Sequence, residues 1–175
     1  MPSFARTASA IVALPALAVV VAPALALAFG RWDLPSSGAG GIARVVAAIV
    51  FGAVGVALFA STVALFFREG EGTLAPWDPP RRFVARGPYR HVRNPMITGV
   101  LCTILSEAIA FGSMPLVVWA ALFFAANALW IPFVEEPALS TRFGSSYEDF
   151  RRNVPRWIPR RTPFRPPDPP QGENG

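Results

Sequence analysis

Four apolar stretches alternate with polar segments along the chain. Ser9 to Phe29 carries no charge and has about the ~20 residues an α-helix needs to cross a hydrocarbon core. Pro15 and Pro23 kink such a helix, which membrane helices tolerate where neighbours satisfy the freed backbone groups. The rival reading is a secretory signal, with Arg6 ahead of the apolar run and Ala24 to Ala28 as the cleavage segment. The run exceeds the ~7–15 apolar residues usual in a signal, so a retained first span is expected. Ile42 to Phe67 is the second stretch, uncharged apart from Arg44 near its start, with Gly52 and Gly55 permitting close helix approach. Met96 to Phe111 is the third and shortest. Gly112-Ser113-Met114-Pro115 then makes a tight turn into Leu116 to Val134, the fourth, with Trp119 and Trp130 toward its ends and Asn127 as an interhelical hydrogen-bond partner. Two apolar runs around a tight turn predict a helical hairpin.

The polar segments refine this picture. Arg68 to Asn94 is a long connection in which Pro76-Trp77-Asp78-Pro79-Pro80 resists helix, because proline removes donors and restricts its neighbour. Trp77 and Phe83 suit interfacial anchoring. Pro137 to Asn153 reads as an amphipathic helix, since Leu139, Phe143, Tyr147 and Phe150 recur at helical spacing. The proline- and arginine-rich tail from Pro163 to Gly175 reads as disordered. The expected fold class is therefore all-α: a polytopic membrane protein of about four transmembrane helices (near 9–29, 42–67, 96–111 and 116–134). A C-terminal helical hairpin and a cytoplasmic amphipathic helix complete it, in a single domain over residues 1–162.

Composition agrees and narrows the function. A hydrophobic share of 53 % in 175 residues and a mean hydropathy of +0.41 exceed those of ordinary soluble domains. All sixteen basic side chains are arginines, which excludes Schiff-base and P-loop lysine chemistry. The net charge of +5 sits in loops beside apolar segments, a sign of membrane orientation rather than nucleic-acid binding. Arginines crowd the Arg68–Pro95 loop and the segment after Glu135. That distribution puts both, and the N-terminus with them, on the cytoplasmic side of the cytoplasmic membrane. One cysteine, Cys102, and one histidine, His91, leave no internal disulfide and no metal centre.

Candidate chemistry gathers at one boundary. Arg86-Gly87-Pro88-Tyr89-Arg90-His91-Val92-Arg93-Asn94-Pro95-Met96-Ile97-Thr98-Gly99 packs three arginines, a tyrosine and the histidine where a polar loop becomes an apolar helix. Arg90 and Arg93 carry forked donors suited to a carboxylate or phosphate. Glu135 and Glu136 sit where the fourth helix leaves the membrane, and carboxylates there require water, cations or hydroxyl donors. Adjacent helical positions face different ways, so one glutamate is expected to meet a ligand and the other an arginine. Gly99, Thr103, Ser106 and Glu107 form a small, polar stripe that either lines a pocket or ends in solvent beside Gly112.

These motifs are familiar together. Gly87 to Met96 followed by Gly99 resembles the first signature of the isoprenylcysteine carboxyl methyltransferase and phospholipid methyltransferase family. Glu135-Glu136-Pro137-x-Leu139, Arg142-Phe143-Gly144-x-x-Tyr147 and Val154 to Pro159 resemble its C-terminal signature. The resemblance implies an integral membrane methyltransferase that uses S-adenosylmethionine without metal and acts on a lipid or other lipophilic substrate. It further implies a cofactor site formed by Tyr89, Arg93, Asn94, Pro95, Gly99, Glu135 and Glu136, with Arg93 and Glu135 nearest the chemistry. Many relatives carry His at the position of Asn94 and Tyr at that of Ile97. Two other classes remain: a non-catalytic membrane subunit or lipid-binding protein, and an NADPH-dependent membrane reductase, for which no dinucleotide fingerprint is present.

Overall fold

The computed structural model describes residues 15–69 and 85–165, the side chains of 66, 67 and 69 excepted. Its described part is helical, without strands. Helix α1 (Leu17–Phe29) opens in a π-turn. It is followed by α2 (Ala39–Glu69), a 3-10 turn over Gly87–Arg90, α3 (Pro95–Phe111), α4 (Met114–Trp130), α5 (Glu136–Phe143) and α6 (Ser145–Asn153). A second π-turn, Ile131–Glu135, carries α4 into α5 without a break.

Two of these helices are long and apolar enough to cross a membrane: Ala39–Leu65, at mean hydropathy 2.4, and Met114–Phe143, at 2.0. Only 11 % of each apolar window is buried, so neither is the core helix of a soluble fold. Their outward side chains, among them Ile42, Ile49, Val56, Leu122 and Leu129, require an apolar surrounding. The other two apolar helices, Leu17–Phe29 and Pro95–Phe111, are shorter. At 17 residues, α3 spans about 26 Å at ~1.5 Å per residue. Two helices thus meet the length criterion, where the sequence pattern leads one to expect four. Ser9 to Leu14 of the first stretch, and Trp77, Phe83 and the Pro76–Pro80 run, lie outside the described residues.

Helix α2 packs along α3, α3 packs on α4, and α4 on α1. The α2–α3 seam is built from small residues. A Cβ on Gly99 would fall 2.9 Å from the Gly55 carbonyl oxygen, and one on Gly55 would fall 2.5 Å from the Thr103 hydroxyl. Ser106 Oγ donates to Ala48 O at 2.7 Å. Gly99, Thr103 and Ser106 are therefore helix-contact residues.

The backbone carbonyl freed by proline in α1 is satisfied by a neighbour. Pro23 carries no N–H, so the preceding π-turn leaves the Ala18 carbonyl without a π partner; Trp119 Nε1 of α4 donates to it at 2.9 Å. At the same end of the bundle as the α3–α4 turn, Gly112 adopts φ +51 as the C-cap of α3. Arg44 closes that end, donating to Ile109 O at 2.6 Å and Ala110 O at 3.1 Å and pairing with Asp33. The positive charge suits the negative end of the α3 dipole.

Three sequence expectations change in detail. The amphipathic segment is two helices, because Gly144 takes φ +53 between them and L side chains rarely adopt that backbone. Its apolar face survives the break: Tyr147 and Phe150 are buried, with Leu139 and Phe143 packed against them. Asn127 donates to Phe123 O in its own helix at 2.8 Å and not across helices. Phe164, in the stretch read as a disordered tail, is 7 % exposed and joins Ala85, Tyr147, Phe150 and Val154 in one cluster. Residues after 165 lie outside the described part.

Candidate functional site

The loop that precedes α3 and the segment that follows α6 are bound to each other through their backbones. Arg93 N–H donates to Pro155 O at 2.9 Å, Arg160 N–H to His91 O at 2.9 Å, and Phe164 N–H to Arg90 O at 2.8 Å. Side chains add to this. Arg90 Nε donates to Phe164 O at 2.5 Å, Asn94 Nδ2 donates to Arg156 O at 3.4 Å, and His91 Nδ1 meets Arg160 O at 2.8 Å. The C-terminal segment is thus a strap across the loop. It engages Arg90, His91 and Asn94 through these hydrogen bonds.

Pro95 starts α3 at a position that lacks an intrahelical donor partner in any case. It is fully buried, and Val92 close by is buried too. Thr98 Oγ1 caps back onto Asn94 O at 2.9 Å. These residues fix where Arg93 stands. Asn94 and Pro95 therefore shape the junction, and Gly99 lies in the α2–α3 seam one turn further on.

Glu136 is the electrostatic centre. It is 4 % exposed, and a buried carboxylate is tolerable only when paired and hydrogen-bonded. Arg93 Nη1 reaches Oε1 at 2.8 Å. Arg156 forks onto both oxygens, Nε to Oε1 at 2.8 Å and Nη2 to Oε2 at 3.0 Å. Arg151 Nε stands 3.9 Å from Oε2. The hydrogen bonds to Glu136 hold the Arg156 guanidinium above its ordinary pKa. Arg93 also hydrogen-bonds Tyr147, whose pKa is pushed up to about 12, first by burial and then by the Glu136 charge, Arg93 opposing.

Glu135 is turned the other way and is exposed. Its charge reaches Tyr89, whose pKa burial raises first and Glu135 raises further, and it reaches Tyr147 as well. The two adjacent glutamates thus divide as the helical geometry requires: Glu136 inward to arginines, Glu135 outward beside Tyr89. One buried donor in the cluster is left over, since Arg93 Nε has no hydrogen-bond partner.

Of the residues singled out from sequence, Tyr89, Arg93, Glu135 and Glu136 come together, with Asn94 and Pro95 supporting them from the helix junction. Glu107, with one buried oxygen unpartnered, sits on α3 near the Arg44 end and takes no part. The sequence did not place Tyr147, Arg151 and Arg156 in the site, although Tyr147 and Arg156 fall within the C-terminal signature. The available signal is that a carboxylate buried at a helix exit needs a cation, with Arg142, Arg151, Arg152 and the proline-flanked Arg156 as the candidates downstream. Among the described residues a shallow cleft lined by Asp149, Asn153, Arg160, Pro163, Phe164 and Arg165 is formed by α6 and the strap and holds none of the cluster. No group of three or more metal-ligating side chains occurs among the described residues.

This donor set fits a cofactor that carries both a carboxylate and hydroxyls. Glu135 offers acceptors for hydroxyl groups, Arg93 Nε an unused buried donor for an anion, and Tyr89 an aromatic ring beside a carboxylate for a cationic centre. A family model described as phospholipid methyltransferase matches residues 43–146. The match takes in most of α2, both glutamates and the start of α6, and ends before the strap. No curated protein and no solved structure matches the chain.

Proposed function

The chain belongs to the phospholipid methyltransferase family, and from that premise we propose that it transfers a methyl group from S-adenosylmethionine to a lipid or other lipophilic acceptor. The reaction takes place at the cytoplasmic face of the membrane, within one domain whose four apolar helices all lie in the bilayer. The observation that carries this reading is the division of labour between Glu135 and Glu136, since a purely structural pair has no need of an outward carboxylate near a half-buried tyrosine.

When bound, S-adenosylmethionine supplies an activated methyl group on a sulfonium. Glu135 accepts hydrogen bonds from its hydroxyl or ammonium groups, and Arg93 Nε binds its carboxylate. Tyr89 stays a neutral phenol through the physiological range, so it adds an aromatic face and a hydroxyl but no charge. Asn94 and Pro95 hold the loop that presents Arg93, and Gly99 lets α3 sit close on α2 behind it. Burial beneath the strap excludes water on one side, and the apolar flanks of α4 give a lipophilic acceptor its approach from the other. Alignment in a water-poor site supplies most of what methyl transfer needs. Asn94, an amide, cannot serve as a base, and an amine acceptor has to react in its neutral form.

The test is to incubate the purified protein in lipid nanodiscs with S-adenosylmethionine labelled in its methyl group and a lipid extract. The expected outcome is label in a lipid product from wild type and none from Glu135→Ala. Label of equal amount from both overturns the site. No cofactor binding by correctly folded wild type favours a non-catalytic subunit.

A further inference from the structure

The helix that carries the two glutamates is least self-sufficient where it carries them. Pro132 and Pro137 bring no backbone N–H. The π-turn Ile131–Glu135 contains the first of them and ends two residues before the second, and it is closed by Glu136 N–H donating to Ile131 O. A turn with one missing donor inside it and another just after it is only weakly held to one winding by its own hydrogen bonds.

Two contacts from outside grip the helix on either side of that turn. Before it, the ring of Phe124 meets Trp157 at 5.2 Å and 58°. After it, Glu136 is taken by the fork of Arg156 at 2.8 and 3.0 Å. The gripping residues are consecutive, and they are themselves fixed: Pro155 O accepts from Arg93 N–H at 2.9 Å, and Arg156 O accepts from Asn94 Nδ2 at 3.4 Å. Pro155 and Pro159 stiffen the segment around them. A slip of one residue turns a helical side chain by about 100°. That is enough to carry Glu135 away from Tyr89.

We propose that Arg156 and Trp157 are positioning residues: together they fix the winding of the Ile131–Glu135 turn and so aim Glu135 at the ligand. They touch no reacting atom and act through Glu136 and Phe124. The inference rests on the cofactor-binding role of Glu135 argued above. It gives a function to a segment that lies beyond the residues the family model matches.

The experiment uses the full chain in nanodiscs, with Arg156→Gln, Arg156→Lys, Trp157→Ala and Glu135→Gln. Hydrogen–deuterium exchange is followed without cofactor, and S-adenosylmethionine affinity is measured by calorimetry. Exchange in the peptide over residues 131–136 is expected to quicken about tenfold in Arg156→Gln and Trp157→Ala, and less in Arg156→Lys, which keeps the charge but not the fork. Peptides of α2 and α3 are expected to stay as in wild type. Cofactor affinity is expected to fall about tenfold in Arg156→Gln on the wild-type background and to change no further on the Glu135→Gln background. Unchanged exchange at 131–136 overturns the proposal. So does faster exchange throughout α2 and α3 in Arg156→Lys, and so do additive affinity losses in the double variant. If wild type binds no S-adenosylmethionine, the cofactor reading of the site fails, while the exchange pattern still decides whether the strap fixes the turn.

Discussion

Replacing either of two adjacent glutamates by alanine removes the same atoms, yet the consequences should be opposite in kind. In Glu136→Ala the Arg93 guanidinium loses its carboxylate while its side chain stays 12 % exposed, and its Nε already lacks a partner. Breaking a buried pair by removing one member costs about 3–5 kcal/mol, because the remaining charge is uncompensated. Tyr147 still accepts from Arg93, and Arg156, with a side chain 30 % exposed, relaxes into water. Both put the cost at the lower end, about 3 kcal/mol. For a chain of this size, 1 kcal/mol moves Tm by about 2–4 °C, so a fall of about 6–12 °C is expected. Glu135 is exposed and paired with no arginine among the described contacts. Its replacement should stay within about 0.5 kcal/mol. Thermal unfolding of both variants in the same detergent, followed by intrinsic fluorescence, reads the difference. A third variant sharpens it: Arg93→Met with Glu136→Leu removes both charges and should recover most of the loss, since buried ion pairs exchanged for apolar residues are often neutral in stability. Equal Tm values for Glu135→Ala and Glu136→Ala would refute the division of roles. A double variant as unstable as Glu136→Ala alone would refute the electrostatic cause.

Three further outcomes are expected. Gly99→Val forces a side chain against the Gly55 carbonyl, 2.9 Å from where its Cβ must sit, and should cost about 1–3 kcal/mol by overpacking; a Tm within about 1–2 °C of wild type contradicts the close seam. Trp119→Phe keeps a ring but loses the donor to Ala18 O, at about 0.5–1.5 kcal/mol, and proteolysis near the first helix should quicken; unchanged cleavage contradicts the role. Tyr147 titrates at about 12 in the folded chain against an ordinary 10. Its contribution is therefore complete below pH 10 and lost as pH rises through 12, because the unfolded chain gives up the proton first. Stability measured across that window should fall less steeply in Tyr147→Phe than in wild type, and identical slopes contradict the shift.

Much of this was legible because hydrophobicity and punctuation are local. The second apolar stretch, the third, the tight turn at Gly112 and the opposite facing of Glu135 and Glu136 follow from spacing and residue type alone. What stayed hidden depends on partners distant in sequence. Gly99 carries the same signal whether it borders a ligand or a helix, and only Gly55 across the seam decides. The far end of the strap, from Pro163, could not be read because proline and arginine repeats are also the composition of disordered tails, and Phe164 alone does not outweigh that. Arg93 reads as a ligand clamp from its neighbours, whereas its Nη1 is committed to Glu136, 43 residues away. The break at Gly144 was within reach, as glycine between two short apolar repeats is a common helix stop. Its φ of +53 is the physical reason the single amphipathic helix became two.

The most direct measurement is the calorimetric affinity of S-adenosylmethionine for wild type and for Glu135→Gln, each with its Tm recorded. A hydrogen bond to a charged group contributes about 1.5–3 kcal/mol, so binding to wild type, weakened about tenfold to a hundredfold in Glu135→Gln at unchanged Tm, is expected. Equal affinity in the two proteins would contradict the claim that Glu135 is the carboxylate that meets the cofactor.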